Sequence, residues 1–200
     1  MKKLLLFTSL IVVVATGALA KNRLHNNEDL SDSISMSFSV DKNTDHTTNS
    51  TPNISYQHDF GNGFQLGLQT ETSRNSLSKT FDSKVEVDGF YQRSILDNKV
   101  VLSGGLGIGR EFTSPTNFLY YSLYGNIDYN LSDKLVWNAV QYQWRDSFDR
   151  KYDFDSNQLG TGLTYKLDPR HSVSLTVYES ADRKWNKQST GASIGYTYNF

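Results

Sequence analysis

The residues best suited to proton transfer or metal ligation are the four histidines, His25, His46, His58 and His171. They are scattered and show no HExxH or comparable ligand spacing, so no metal centre is expected. The chain has no cysteine, which excludes thiol catalysis and thiolate-held metals. Asp45 and His46 are adjacent in a polar loop that can pair with the acids between Asp146 and Asp155. A solvated polar loop accounts for the same residues. The run Gly104-Gly105-Leu106-Gly107-Ile108-Gly109 has the small residues of a phosphate loop but no following Lys-Ser/Thr. No catalytic residue, metal or cofactor is therefore expected, and the chain is not read as an enzyme.

What stands out is a set of charged residues spaced among alternating apolar ones: Asp59, Glu71, Glu86, Asp88, Asp128, Arg145 and Lys166. Their meaning depends on the elements that carry them. Lys2 and Lys3, the apolar run Leu4 to Ala15 and Ala18-Leu19-Ala20 have the form of a cleavable signal peptide, residues 1–20. Residues 21–30 are expected to be an N-terminal periplasmic tail and 31–200 a single domain. Removing Lys2 and Lys3 takes the formal charge from −1 to −3, without the basic face that nucleic-acid binding requires. No long apolar run follows the leader, so the domain does not cross a membrane as helices.

The pattern has period two. In Ser33 to Val40 every even residue is apolar and every odd one is serine, which on a strand makes one apolar and one small polar face. Similar alternation recurs along the chain, giving about ten strands, with eight or twelve as alternatives. Gly61-Asn62-Gly63, Leu96 to Lys99, Leu131 to Lys134 and Asp168 to His171 read as tight turns. Longer polar loops are expected at 74–82, 111–117, 146–156 and 181–188. The seventh strand is irregular: its alternation at Val140, Tyr142 and Trp144 puts Asn138 outward and Trp137 inward unless a bulge shifts the register.

The apolar faces are bulky and the polar faces are built from Ser, Gly, Asn, Gln and Thr, small enough to fill a narrow interior. That assignment predicts an all-β, transmembrane, antiparallel up-and-down barrel with apolar side chains toward lipid. The seven charged residues above then face the lumen. Tyr129 and Tyr165, with Tyr142 and Trp144 toward the other end, are expected in aromatic girdles. His171-Ser172 falls at a periplasmic turn, away from lipopolysaccharide acyl chains, and is not expected to act as a hydrolytic dyad.

The ending Ile194-Gly-Tyr196-Thr-Tyr198-Asn-Phe200 resembles the C-terminal signature of Gram-negative outer-membrane β-barrel proteins. The resemblance implies that Tyr196, Tyr198 and Phe200 form an assembly signal read by the barrel-assembly machinery. It also implies partners of that setting: periplasmic chaperones, outer-membrane lipids and lipopolysaccharide, with the chain a monomer in the outer membrane. The run Ser55 to Phe64 resembles a hairpin of small monomeric porins related to oligogalacturonate-specific channels. Those have about twelve strands and an arginine-lined lumen. Here Arg145 and Lys166 are the inward cations, outnumbered by acids, so any conduction should show no preference for anionic sugars. The expected function is a passive porin-like channel for ions or small hydrophilic solutes. The alternatives are a non-conducting barrel for adhesion or envelope integrity and, less favoured, an outer-membrane protease or lipid hydrolase.

Overall fold

A computed structural model describes residues 32–113, 116–152 and 154–200. The leader and tail assigned to 1–30 lie outside the described residues. Ten antiparallel strands follow one another: β1 (Asp32–Asn43), β2 (Thr48–Asp59), β3 (Phe64–Asn75), β4 (Phe81–Ile95), β5 (Val100–Thr113), β6 (Thr116–Asn130), β7 (Leu135–Ser147), β8 (Asp155–Lys166), β9 (His171–Ala181) and β10 (Lys187–Asn199). Each pairs with its sequence neighbours, and β1 pairs with β10 to close a barrel. Closure leaves no edge strand, and the ladders pair continuously among the described residues apart from interruptions such as Thr51-Pro52 on β2 and the bulge on β7. Asp32 and Phe200 lock the seam: the Asp32 amide donates to the Phe200 carbonyl at 3.1 Å, and the Phe200 amide to the Asp32 carbonyl at 2.8 Å.

Period-two alternation decides which side chains go where. On β1, Ser33, Ser35 and Ser37 are buried while Ile34, Met36, Phe38 and Val40 are exposed. The same division runs around the barrel, with Leu106, Ile108 and Ile194 each more than 60 % exposed and Glu86, Asp128 and Ser122 at 1 %. Water would expel such an exterior, whereas hydrocarbon accepts it at no cost.

At the end holding Asp32 and Phe200, the four connections 60–63, 96–99, 131–134 and 167–170 are short turns. Gly61 and Gly63 supply positive φ there, as expected. The 96–99 turn takes the left-handed region at three successive non-glycine residues, Leu96, Asp97 and Asn98. The Asn130 side-chain amide holds this turn by donating to the Asn98 carbonyl at 2.5 Å. At the opposite end the connections are 44–47, 76–80, 114–115, 148–154 and 182–186. They are shorter than the loops expected from composition, because polar stretches such as Glu111-Phe112-Thr113 continue the strands with inward and outward faces still alternating. Pro52 lies inside β2, where Thr51 and Pro52 make no pair with β3. The missing amide donor is harmless at that gap.

The irregular β7 carries the bulge. The register shifts between Ile127 and Asp128 against β6 and between Asn138 and Gln141 against β8. The extra residue turns Asn138 inward, to 1 % exposure, and Trp137 outward, stacked on Tyr129 at 5.6 Å. This reverses the orientation obtained by running the alternation straight back from Val140, because an inserted residue flips every side chain beyond it.

Candidate functional site

The barrel interior concentrates the charged residues, and strand register explains how. Glu71 on β3 sits directly opposite Lys84 on β4, which sits directly opposite Glu111 on β5. Lys84 Nζ is 2.6 Å from Glu71 and 3.8 Å from Glu111. From the other side Arg145 on β7 reaches across, its guanidinium 3.0 Å from Glu71 and 3.6 Å from Glu86. Turned with its oxygen toward the guanidinium, the Gln143 amide also accepts from Arg145 at 3.0 Å. Glu86 accepts from the hydroxyls of Ser122, at 3.0 Å, and Tyr124. The Gln69 amide donates to Tyr124 Oη at 2.8 Å.

Aromatic rings and glycines complete the packing. Arg145 lies over the Tyr120 ring and Lys84 over the Phe154 ring, both at 5.6 Å. A Cβ on Gly109 would collide with Tyr120, and one on Gly107 with the Glu86 carboxylate. The glycine run of β5 therefore makes room for the cluster. Such buried pairs add little net stability, because desolvation consumes most of the Coulomb gain. What they fix is geometry: a strut from β3–β5 to β7.

Beside the strut is open space of about 480 Å³. Its lining is dominated by hydroxyls and amides, among them Ser39, Thr51, Asn53, Gln141, Gln158 and Ser193. Among the described residues no cluster of three or more His, Asp or Glu is arranged to hold a metal ion.

No family model matches the chain, and no curated protein matches it. Among solved structures, the β domain of the Bordetella autotransporter BrkA aligns with TM-score 0.53 and 9% identity, covering 85% of this chain and 99% of that one. A NanC porin aligns with TM-score 0.49 and 12% identity, over 82% and 99% of the two chains. The KdgM porin in complex with disordered oligogalacturonate gives 0.47 and 19%, over 84% and 99%. The fold is that of an outer-membrane β-barrel.

Within this barrel, Glu71, Glu86 and Arg145 come together, while Asp88 lines the space below them, against Gly67. Asp59, Asp128 and Lys166 stand apart, near the end holding Asp32 and Phe200. Asp59 accepts from the Gly61 amide at 2.7 Å and from Gln65 at 3.3 Å. Asp128 accepts from Asn138 at 2.8 Å, and Lys166 is half-buried at the end of β8. Among the girdle residues, Tyr129 and Tyr165 are exposed. Tyr142 and Trp144 are half-buried: the Tyr142 hydroxyl donates to Asn157, and Trp144 packs edge-on against Tyr121. At the seam Tyr198 stacks on Phe200 and packs against His171. Asp45 turns back on its own loop, accepting from the Thr47 amide at 2.9 Å and hydroxyl at 2.6 Å, which holds its carboxyl below the usual aspartate range. Asp146 and Asp155 are engaged instead by Arg183, at 2.6 and 3.7 Å. These contacts do not assemble the Asp45–His46 rim site considered above.

Lys84 corrects the expectation that Arg145 and Lys166 are the inward cations. It was legible, since it shares the phase of Glu86 and Asp88. Asp41 likewise shares the phase of Ser33 to Ser39, and Glu111 that of Gly105 to Gly109. Asp41 and Glu111 lie just beyond the residues expected to end their strands, whereas Lys84 lies within the expected fourth strand.

Proposed function

We propose that the chain is a small outer-membrane channel passing ions or small hydrophilic solutes passively. The supporting observation is the hydroxyl- and amide-lined space of about 480 Å³ beside the Glu71–Arg145 strut, inside a barrel whose exterior suits lipid. A narrow polar bore hydrates what passes and excludes apolar molecules. The acids lining the space, Asp41, Glu71, Asp88 and Asp155, outnumber the cations Lys84 and Arg145, so cations are favoured. Neither cation is available to an anionic solute, because both are engaged by glutamates.

Single-channel recording of refolded 21–200 in a planar bilayer tests this reading. Discrete conductance steps with a cation-selective reversal potential are expected. Silent bilayers containing verified folded barrel would overturn it. They would leave a non-conducting surface barrel, the reading that the strut across the interior favours.

A further inference from the structure

We propose that Tyr178, Asp41 and Asn53 form a binding site, inside the barrel, for an uncharged polyhydroxylated ring solute, a saccharide. The proposal rests on the channel reading for the route of entry, but the site itself is argued from its side chains. Tyr178 on β9, Gly191 on β10, Asp41 on β1 and Asn49 on β2 are successive direct partners across four strands. A Cβ at Gly191 would run into both the Tyr178 ring and the Asp41 carboxylate. The tyrosine ring therefore lies over the bare backbone of β10, with its hydroxyl reaching Asp41. Tyr178 and Asp41 both border the open space.

Asn53 supplies an independent sign of a missing ligand. It is 3 % exposed, borders the same space, and its Oδ1 has no hydrogen-bond partner. Buried amide carbonyls are normally satisfied. Asn53 is four residues along β2 from Asn49, the partner of Asp41, so it stands about 13 Å along the wall. A disaccharide covers that span, one ring laying its C–H face on Tyr178 and donating to Asp41 while the other donates to Asn53 Oδ1. The volume lies in the range of small-molecule sites, about 300–1,000 Å³. An anionic sugar would face Asp41, Glu71 and Asp88 with both nearby cations occupied. An apolar ligand would strip water from hydroxyls and amides without replacing it.

Lactose and its anionic counterpart lactobionate serve as probes. In bilayers holding the refolded chain, lactose should interrupt the current reversibly and saturably. Tyr178→Ala should raise the half-blocking concentration at least about tenfold, a loss of ~1.4 kcal/mol. Asn53→Leu should shift it the same way, and Tyr178→Phe should stay within about threefold. Lactobionate should block more weakly. Block that does not saturate, that is unchanged by Tyr178→Ala and Asn53→Leu, or that is as strong with lactobionate overturns the proposal. A protein that does not conduct overturns the channel reading instead. The site is then judged by saturation-transfer NMR of lactose with the micelle-refolded barrel: transfer lost in Tyr178→Ala supports it, and no transfer overturns it.

Discussion

The Arg145 guanidinium stands 3.0 Å from the Glu71 carboxylate, joining β7 to β3 across the interior of the barrel. Both side chains are about nine-tenths buried, so neither charge can be abandoned without cost. Glu71→Ala leaves Arg145 with Glu86 at 3.6 Å and deprives Lys84 of its nearer partner. Removing one partner of a buried pair costs about 3 kcal/mol. Urea unfolding of the refolded barrel in lipid vesicles should show that loss, and single-channel conductance should rise because the strut no longer narrows the bore. Unchanged stability together with unchanged conductance would show that the strut neither holds the wall nor limits flow.

Two glycines separate packing from propensity. Gly109 faces inward beneath Tyr120, which is 0 % exposed and has no room to move, so Gly109→Ala overpacks the interior. Overpacking costs about 1–3 kcal/mol. At Gly125 a Cβ would meet nothing within 4 Å, and alanine is the better strand former. Gly125→Ala should therefore be neutral or slightly stabilising. Thermal unfolding of the two variants side by side gives the comparison, and equal effects would contradict the packing argument.

Asn138 bridges two strands, donating to Asp128 at 2.8 Å and accepting from Thr164 at 2.9 Å. Asn138→Ala leaves the Asp128 carboxyl, 1 % exposed, without this donor. An unsatisfied buried group costs about 1–3 kcal/mol. Denaturant midpoints should fall accordingly, and Asn138→Asp should be worse because it sets two acids together. Midpoints unchanged in both would mean that water replaces the amide.

The behaviour of Asn138 and Trp137 shows where sequence reading stops. Strand number, closure and the inward set on β1, β3 and β4 follow from period-two alternation, because each side chain faces lipid or lumen and the two environments select opposite chemistry. A bulge inserts one residue without changing composition, so its position on β7 was not fixed by alternation. The strut was partly legible: Glu71, Glu86 and Arg145 have the inward phase. That they meet depends on barrel stagger, which links β3 to β7 through strands far apart in sequence. The Tyr178–Gly191–Asp41 row was invisible for the same reason.

The C-terminal aromatics are proposed as an assembly signal, a role separable from folded stability. Phe200 makes its stack on Tyr198 and its backbone bonds to Asp32 at the end of the seam. Deleting Phe200 should sharply lower the amount of barrel assembled in the outer membrane of expressing cells. Refolding of the purified chain into detergent should change little. Equal losses in the two assays would make Phe200 a structural residue rather than a recognised one.

Asp182 organises the β9–β10 connection outside the membrane. Its carboxylate accepts from the amides of Lys184 and Asn186 at 2.8 Å and from the Asn186 side chain at 2.8 Å. These bonds favour the charged form, and the Asn186 side chain does most to hold the carboxyl below the usual aspartate range. Because folding lowers this pKa, the ordering is complete above the unfolded value, about 3.9, and is lost as pH falls through the lower folded value. Amide protection at Lys184 and Asn186, measured by hydrogen exchange and corrected for intrinsic rates, should therefore hold through neutral pH and fall in acid. In Asp182→Ala protection should be low throughout and flat with pH. A native-like acid transition in that variant would place the responsible carboxylate elsewhere, with Asp155, which accepts from the Arg183 amide at 2.5 Å, the next to test.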